Sequence, residues 1–462
     1  MKTVRIGAGL GFYGDSWAPV ATTLERGEVQ YVASDHLAEL TLAILQKDRQ
    51  RDPALGYTRD LVPMMTALWP LAAKRGVRFL LNAGGLNPQG AAAALAAEFA
   101  RRGWPARIAC VTGDAVLDRV DELRDAGESL EHLDTGAALA DVRDRLLFAN
   151  AYLGARPLVQ ALAEGADIVI SGRVADAALF MAPLIHEFGW TWDDWPRLAQ
   201  ALTVGHLMEC SGQGSGGNFN AYGAAFGGGW EAIPDYAHLG FPIAEVTEDG
   251  TAVIGKAPGT GGRVSFDTLR QQLLYEVHNP HRYLSPDVIL DMGTLRLDDL
   301  GDDRVRVSGA TGLPAPETLK VVAGYDDGWA GTAMIGYCWP DAVKKARTTE
   351  SVIRRLLAER RLQYDDIHTE LLGLDSLLGP LADTSQAAEL NEVYLRMVVR
   401  TRDRRLAEAF PRQFPWLGLS GPPTASGFSG IEPPRQLLGL WPTLVRRDRV
   451  EDRVRVAITS VP

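Results

Sequence analysis

Residues 78–102 read RFLLNAGGLNPQGAAAALAAEFARR, and this stretch decides the fold. Arg78 to Leu81 is a short apolar run, Asn82 to Asn87 is rich in Asn and Gly, and Gly90 to Arg102 carries apolar residues at helical spacing. That order is strand, turn, helix. It recurs through the first 190 residues: further strands are expected at Val4 to Ala8, Val29 to Ala33, Ala106 to Val111 and Ile168 to Ile170. Helices are expected at His36 to Lys47, Leu61 to Arg75 and Arg143 to Leu162, the last with Gly154 or Pro157 as a point of interruption. Nearly continuous apolar strands alternating with helices predict a doubly wound α/β fold with a mostly parallel sheet covered on both faces.

From Asp193 a helix is expected to about Glu209, ending at a Gly-rich loop over 211–229 that reads as a lid or crossover. After Pro286 the pattern changes to alternating strands, such as Arg304 to Val307 and Leu319 to Val322, with a helix near Asp341 to Glu359. This places a boundary near residue 283. Residues 1–283 form an α/β ligand-binding core and 284–462 a smaller α+β part.

Of 462 residues, 47 are basic and 58 acidic, a net charge of −11 that speaks against nucleic acid and against an anionic membrane surface as partner. Three widely spaced cysteines build neither a disulfide framework nor a Cys-x-x-Cys metal site, which fits a reducing cytoplasm. No stretch reaches the ~18 apolar residues of a membrane span. A homo-oligomer acting on a small molecule is the expected form, and no metal is expected.

In a parallel sheet, ligands bind beyond the carboxyl ends of the strands. Those ends carry Gly11, Gly14, Asp15 and Ser16, then Asp35, then Asn82, Gly84, Gly85 and Asn87, then Thr112, Gly113 and Asp114, then Ser171, Gly172, Arg173 and Asp176. Backbone amides in such turns offer donors to a carboxylate or phosphate, although the turns also need these residues for their own geometry. His206 and Glu209 share one helix face three residues apart, where an acid/base pair would meet substrate, and Gly214, Gly216 and Gly217 follow them. The expected roles are Glu209 or Asp176 as base, His206 as acid partner and Arg173 as carboxylate anchor.

Gly9-Leu10-Gly11-Phe12-Tyr13-Gly14 with Asp35 downstream matches a dinucleotide fingerprint, so an NAD(P)-dependent oxidoreductase is an alternative. Phe12 and Tyr13 are bulky for that motif. The sequence has no G-x-S-x-G nucleophile elbow, H-E-x-x-H zinc motif or deaminase signature.

Taken in order, RIGAGLGFYGDS, DHLAEL, LLNAGGLNP, VTGD, ANAYLGA, DIVISGRVADAALFMAPLIHEFGW, VGHLMECSGQGSGGNF, KAPGTGGRVSFDTLRQQLLYEV, LKVVAGYDDGW and SGPPTASGFSG resemble the acyclic terpene utilisation A (AtuA-like) family of bacterial and fungal proteins. The resemblance spans nearly the whole chain. It implies a place in acyclic terpene catabolism through CoA thioesters, without fixing the reaction. Combined with the acid/base residues, it leads to an expected hydratase or lyase step on an acyl-CoA or carboxylate. CoA then enters only as part of the substrate. A non-catalytic binding or assembly subunit is the remaining alternative.

Overall fold

The computed structural model describes residues 2–462 except 224 and 226. In chain order the first elements are β1 (Thr3–Ala8), α1 (Ala18–Arg26), β2 (Tyr31–Ser34), α2 (Glu39–Arg51), α3 (Leu61–Arg75), β3 (Arg78–Leu81) and α4 (Pro88–Arg102). They are followed by β4 (Ala106–Thr112), α5 (Val120–Asp125), β5 (Leu146–Ala151), α6 (Arg156–Ala163), β6 (Ile168–Ser171), α7 (Ala178–Phe188) and α8 (Trp195–Met208). The local reasons are visible at α4. The Asn87 side chain accepts the Gly90 amide at 2.9 Å, Pro88 opens the first turn, and Gly103 closes the helix at φ +68°.

Five strands, ordered β1-β2-β3-β6-β4, pair in parallel, with Ile6 opposite Tyr31, Tyr31 opposite Arg78, Phe79 opposite Ile168 and Ile108 opposite Ile168. β2 and β6 are buried at every residue, as strands covered on both faces must be. The sheet continues past β1 through Pro242–Thr247, Ala252–Lys256, Arg304–Ser308 and Arg296–Gly301, all antiparallel. Beyond β4 the strand Arg455–Val461 pairs antiparallel as well. The ten-stranded sheet is therefore mixed, which corrects the mostly parallel expectation. The hairpin-linked strands after residue 240 need no crossover helix and so leave no βαβ signature.

Two further differences have local causes. Arg143 to Leu162 is not one helix: Leu146–Ala151 is a strand, and α6 begins at Arg156 with Pro157 in its first turn. A short apolar run such as LLFANA fits either element by periodicity, and Gly154 and Pro157 marked the true junction. The chain also divides into two compact units at different places from residue 283. One comprises Met1–Gly324 with Leu440–Pro462 and the other Tyr325–Gly439, because strands 242–308 and 455–461 join the first sheet.

In the smaller unit, residues Trp329 to Cys338 pair antiparallel with Thr401 to Glu392, and Asp366–Leu372 adds on the other side of Glu392–Thr401. Val393, Leu395, Met397 and Val399 point alternately into a core shared with Ala346, Ile353 and Leu357 of the helix Ala342–Glu359. Among the described residues no helix is long and apolar enough to cross a membrane.

Candidate functional site

The Gly-rich turns are built mainly for the fold. The amide of Gly9 donates to Ala33 O, Leu10 to Ser34 Oγ, Gly11 to Asp15 Oδ2 and Gly14 to Asp60 Oδ2. Those four donors are consumed, two of them by carboxylates, which places negative charge where a pyrophosphate would have to sit. Beneath it lies a buried Ser34–His36–Asp60 array, with Ser34 Oγ 3.0 Å from His36 Nε2 and His36 Nδ1 3.7 Å from Asp60 Oδ1. The Ser34 hydroxyl lines no cavity among those described and already accepts the Leu10 amide. The Ser34 hydroxyl, accepting the Leu10 amide, braces the turn.

At the third strand end, Gly84, Gly85 and Asn87 donate to Ser171 O, Asn82 O and Gly84 O. A Cβ at Gly84 would stand 2.5 Å from Ser171 O, so glycine there serves close packing. Asp114 is buried, and its Oδ2 accepts the Arg173 amide and Asn150 Nδ2. A Cβ on Gly172 would meet that carboxylate at 2.5 Å, and one on Gly113 would meet Arg453 O at 2.5 Å. Thr112 pairs with Arg455 in the sheet. The amides of Gly14, Gly84, Gly85 and Asn87 are thus held by the protein's own acceptors, and Gly84, Gly113 and Gly172 are glycines because a Cβ would collide with neighbouring atoms.

The Gly-rich loop contradicts a simple lid over its first half. Ser211–Ser215 is a 3-10 turn, Ser211 Oγ donates to Gly9 O at 2.5 Å, and Ser215 Oγ donates to Gly240 O. Gly214 and Gly217 pack at 2.8 Å from Leu207 O and Gly212 O by the same Cβ test, and Gly216 adopts φ +96°. Residues 224 and 226 of this loop lie outside the described residues.

What the strand ends do bring together is a cleft of about 530 Å³. Its wall contains Gly11, Asp15, Asp35, Arg173, Asp176, Glu209 and Gly217 from the predicted set, joined by Glu39, Tyr152, Cys210, Glu276 and Lys320. Ser16 lies in a neighbouring cavity beside Asp15. Asn82 stands behind the wall, donating to Asp35 and accepting the His36 amide at 2.6 Å. Ser171 is buried, and its carbonyl accepts Gly84.

Arg173 is 1% exposed and is no free anchor. Its guanidinium donates to Val174 O, Leu37 O and Asp176, and lies 4.5 Å from the Tyr152 ring centroid. It serves as internal countercharge to Asp176. Burial, with Asp176 adding to the effect, pushes the Asp35 carboxyl well above the carboxylate range despite Arg173 and Asn82. Glu39 behaves oppositely. Burial alone would raise it, but Lys320 at 3.0 Å and Tyr152 Oη at 2.6 Å bring it down to about 2. Lys320 is the partly exposed cation of this wall.

His206 and Glu209 do share a face at the end of α8. His206 Nδ1 lies 2.9 Å from Glu209 Oε1, and Nε2 lies 3.1 Å from Leu273 O. Burial pushes Glu209 up to about 7 against the pull of His206, with Asp176 and Glu276 adding to the rise. For His206 burial acts downward, but Glu209 outweighs it and the imidazole is held above its ordinary value. Only Glu209 reaches the cleft. His206 is fully buried, so it is a positioning residue and not the acid that meets substrate.

Tyr152, Lys320, Glu39 and Tyr283 escape sequence reasoning, because no motif spacing links them. Tyr152 lies in ANAYLGA and Lys320 in LKVVAGYDDGW, so the family stretches were the available signal. Among the described residues, no group of three or more His, Cys, Asp or Glu is arranged to hold a metal ion.

Comparison with known proteins adds one finding. No curated protein and no solved structure matches the chain. Residues 4–456 match the family described as acyclic terpene utilisation family protein AtuA. Since the match covers nearly the full length, the chain belongs to the AtuA family of acyclic terpene utilisation.

Proposed function

We propose that the protein is an acid/base enzyme of acyclic terpene or branched-chain acid catabolism that adds water to, or removes it from, an unsaturated acyl-CoA or carboxylate. One observation carries the reading: the Glu209 carboxyl, held at about 7 on the cleft wall and hydrogen-bonded to His206, is poised to exchange a proton near neutral pH.

In the hydration direction, ionised Glu209 accepts a proton from water as its oxygen bonds to the β-carbon. The α-carbon takes a proton from Asp35, whose hold on a proton burial strengthens. The acyl carbonyl faces Lys320, whose ammonium has donors beyond the one held by Glu39 and stabilises developing enolate charge, while Tyr152 donates to Glu39 and fixes that pair in place. In elimination the same groups run backwards. Asp176, ion-paired with Arg173, is a like charge beside Asp35 and Glu209 and raises the proton affinity of both. Neither a nicotinamide nor a metal enters this scheme.

The test is incubation with branched 2-enoyl and 3-hydroxyacyl CoA thioesters in ¹⁸O water, read by mass spectrometry. The expected result is ¹⁸O-labelled hydroxyacyl product with the wild-type protein, formed about 10²–10⁴-fold more slowly with Glu209→Gln. Turnover retained at the wild-type rate by Glu209→Gln, product formed only with NAD(P), or no turnover of any thioester would overturn the reading, the last in favour of a binding subunit.

A further inference from the structure

A second cavity of about 320 Å³ lies on the other side of Glu209. It shares Tyr152, Asp176, Glu209 and Lys320 with the cleft, so the two spaces meet at these four residues. They differ in charge. Beyond the shared residues the cleft adds the carboxyls of Asp15, Asp35, Glu39 and Glu276, whereas this chamber adds none and is walled mainly by Leu133, Leu202, Leu284, Pro286, Leu319 and Leu444.

The chamber is anchored in the core at one end and open at the other. Leu202 and Leu319 are each 1% exposed, while Leu133, Leu284 and Leu444 are 47%, 58% and 41% exposed. Three large aliphatic side chains left in water around one opening constitute an apolar rim that an occupant would cover. Leu202 stands seven residues before Glu209 near the same face of α8, so the helix carrying the carboxyl also supplies the chamber wall. Tyr283 closes the junction, its ring 5.1 Å from that of His206.

We propose that this chamber holds the aliphatic chain of the substrate, with Leu202 and Leu319 setting how chain length is read while the carboxyl or thioester head lies at Lys320 and Glu209. The proposal rests on Glu209 being the acid/base group. The volume is at the lower end of the ~300–1,000 Å³ usual for ligand pockets, and the walls are mainly aliphatic, with the charged groups at the junction and Ser285 and Thr318 as the other polar residues. An amphipathic acyl molecule is the chemistry that satisfies both spaces at once.

The experiment is calorimetric titration of the intact protein with butanoate, hexanoate, octanoate and decanoate. Single-site affinity is expected to rise about threefold to fourfold per added methylene. Leu202→Trp should abolish that rise while leaving butanoate binding unchanged. Because a bulky residue at a buried position can prevent folding, Leu284→Asp at the exposed rim is the second variant, expected to weaken decanoate and spare butanoate. A flat series in the wild-type protein, or a slope unchanged in the folded variants, overturns the proposal.

Glu209→Gln separates the two readings. If it slows turnover while the wild-type series is flat, the chamber assignment falls and the acid/base reading stands. If the series holds and Glu209→Gln turns over normally, the catalytic reading falls alone.

Discussion

His206 Nε2 faces the carbonyl oxygen of Leu273 at 3.1 Å, and this contact decides what Nδ1 can do toward Glu209. A carbonyl only accepts, so Nε2 carries a hydrogen. Nδ1 then either accepts from a protonated Glu209 or, as imidazolium, donates to its carboxylate. One proton is shared across the 2.9 Å contact. Glu209→Gln is expected to lower kcat by about 10²–10⁴-fold. His206→Asn removes the group that pulls the Glu209 pKa down, so the rising limb of the kcat/KM profile should move above its wild-type midpoint near 7. A pH–rate series on both variants checks this, and an unmoved limb in His206→Asn would assign the limb elsewhere.

Asp287 gives a stability prediction of defined sign. Its two oxygens accept the Ala155 amide at 3.1 and 2.9 Å, and burial raises its carboxyl to about 6 from 3.8, against the pull of Arg447 and Arg156. Between those values the folded chain binds more protons than the unfolded chain. Its contribution is therefore fully present below pH 3.8 and is lost as pH rises through 6. The full shift corresponds to about 3 kcal/mol. Urea unfolding of wild type and Asp287→Asn at pH 4 and pH 7 should show the variant gaining relative stability at the higher pH. No change in the difference between the two proteins would contradict it.

The strand ends were legible because each parallel strand is a compact apolar run followed by its own turn residues, as at Arg78 to Asn87. Asp35, Arg173, Asp176 and Glu209 accordingly meet in one cleft. Their roles were less legible. Arg173 looks like an anion anchor in sequence, yet burial commits its donors to Val174, Leu37 and Asp176, which no local pattern reveals. Glu39 and Lys320 are 281 positions apart and meet only through the tertiary fold. The antiparallel strands were missed as part of the main sheet for a similar reason, since their pairing is set by partners and not by a helix between them.

Cys210 lines the cleft and invites a nucleophile reading, but burial and the nearby Glu209 push its thiol far above the usual range. Cys110 is pushed up to about 11, mainly by burial. Cys338 is exposed. Iodoacetamide at pH 8 should therefore label Cys338 first, with Cys110 and Cys210 reacting only after unfolding. Peptide mass spectrometry over a time course reads this directly. Labelling of Cys210 as fast as Cys338 would make its thiol a candidate reacting group of the cleft.

Gly205 links packing to the site. A Cβ at this position of α8 would stand 2.7 Å from both Cβ and the carbonyl oxygen of Ala177, so the helix lies against backbone that cannot swing aside. The next residue is His206, and any outward shift of α8 moves the dyad. Gly205→Ala is expected to cost about 1–3 kcal/mol through overpacking. Gly418, with nothing within 4 Å of an added Cβ, is the matched control, and Gly418→Ala should change stability by less than about 0.5 kcal/mol. Thermal unfolding compares the two. Equal stability of both variants would mean that α8 has room to adjust, and an unchanged pH–rate limb in Gly205→Ala would show that the His206–Glu209 contact survives the adjustment.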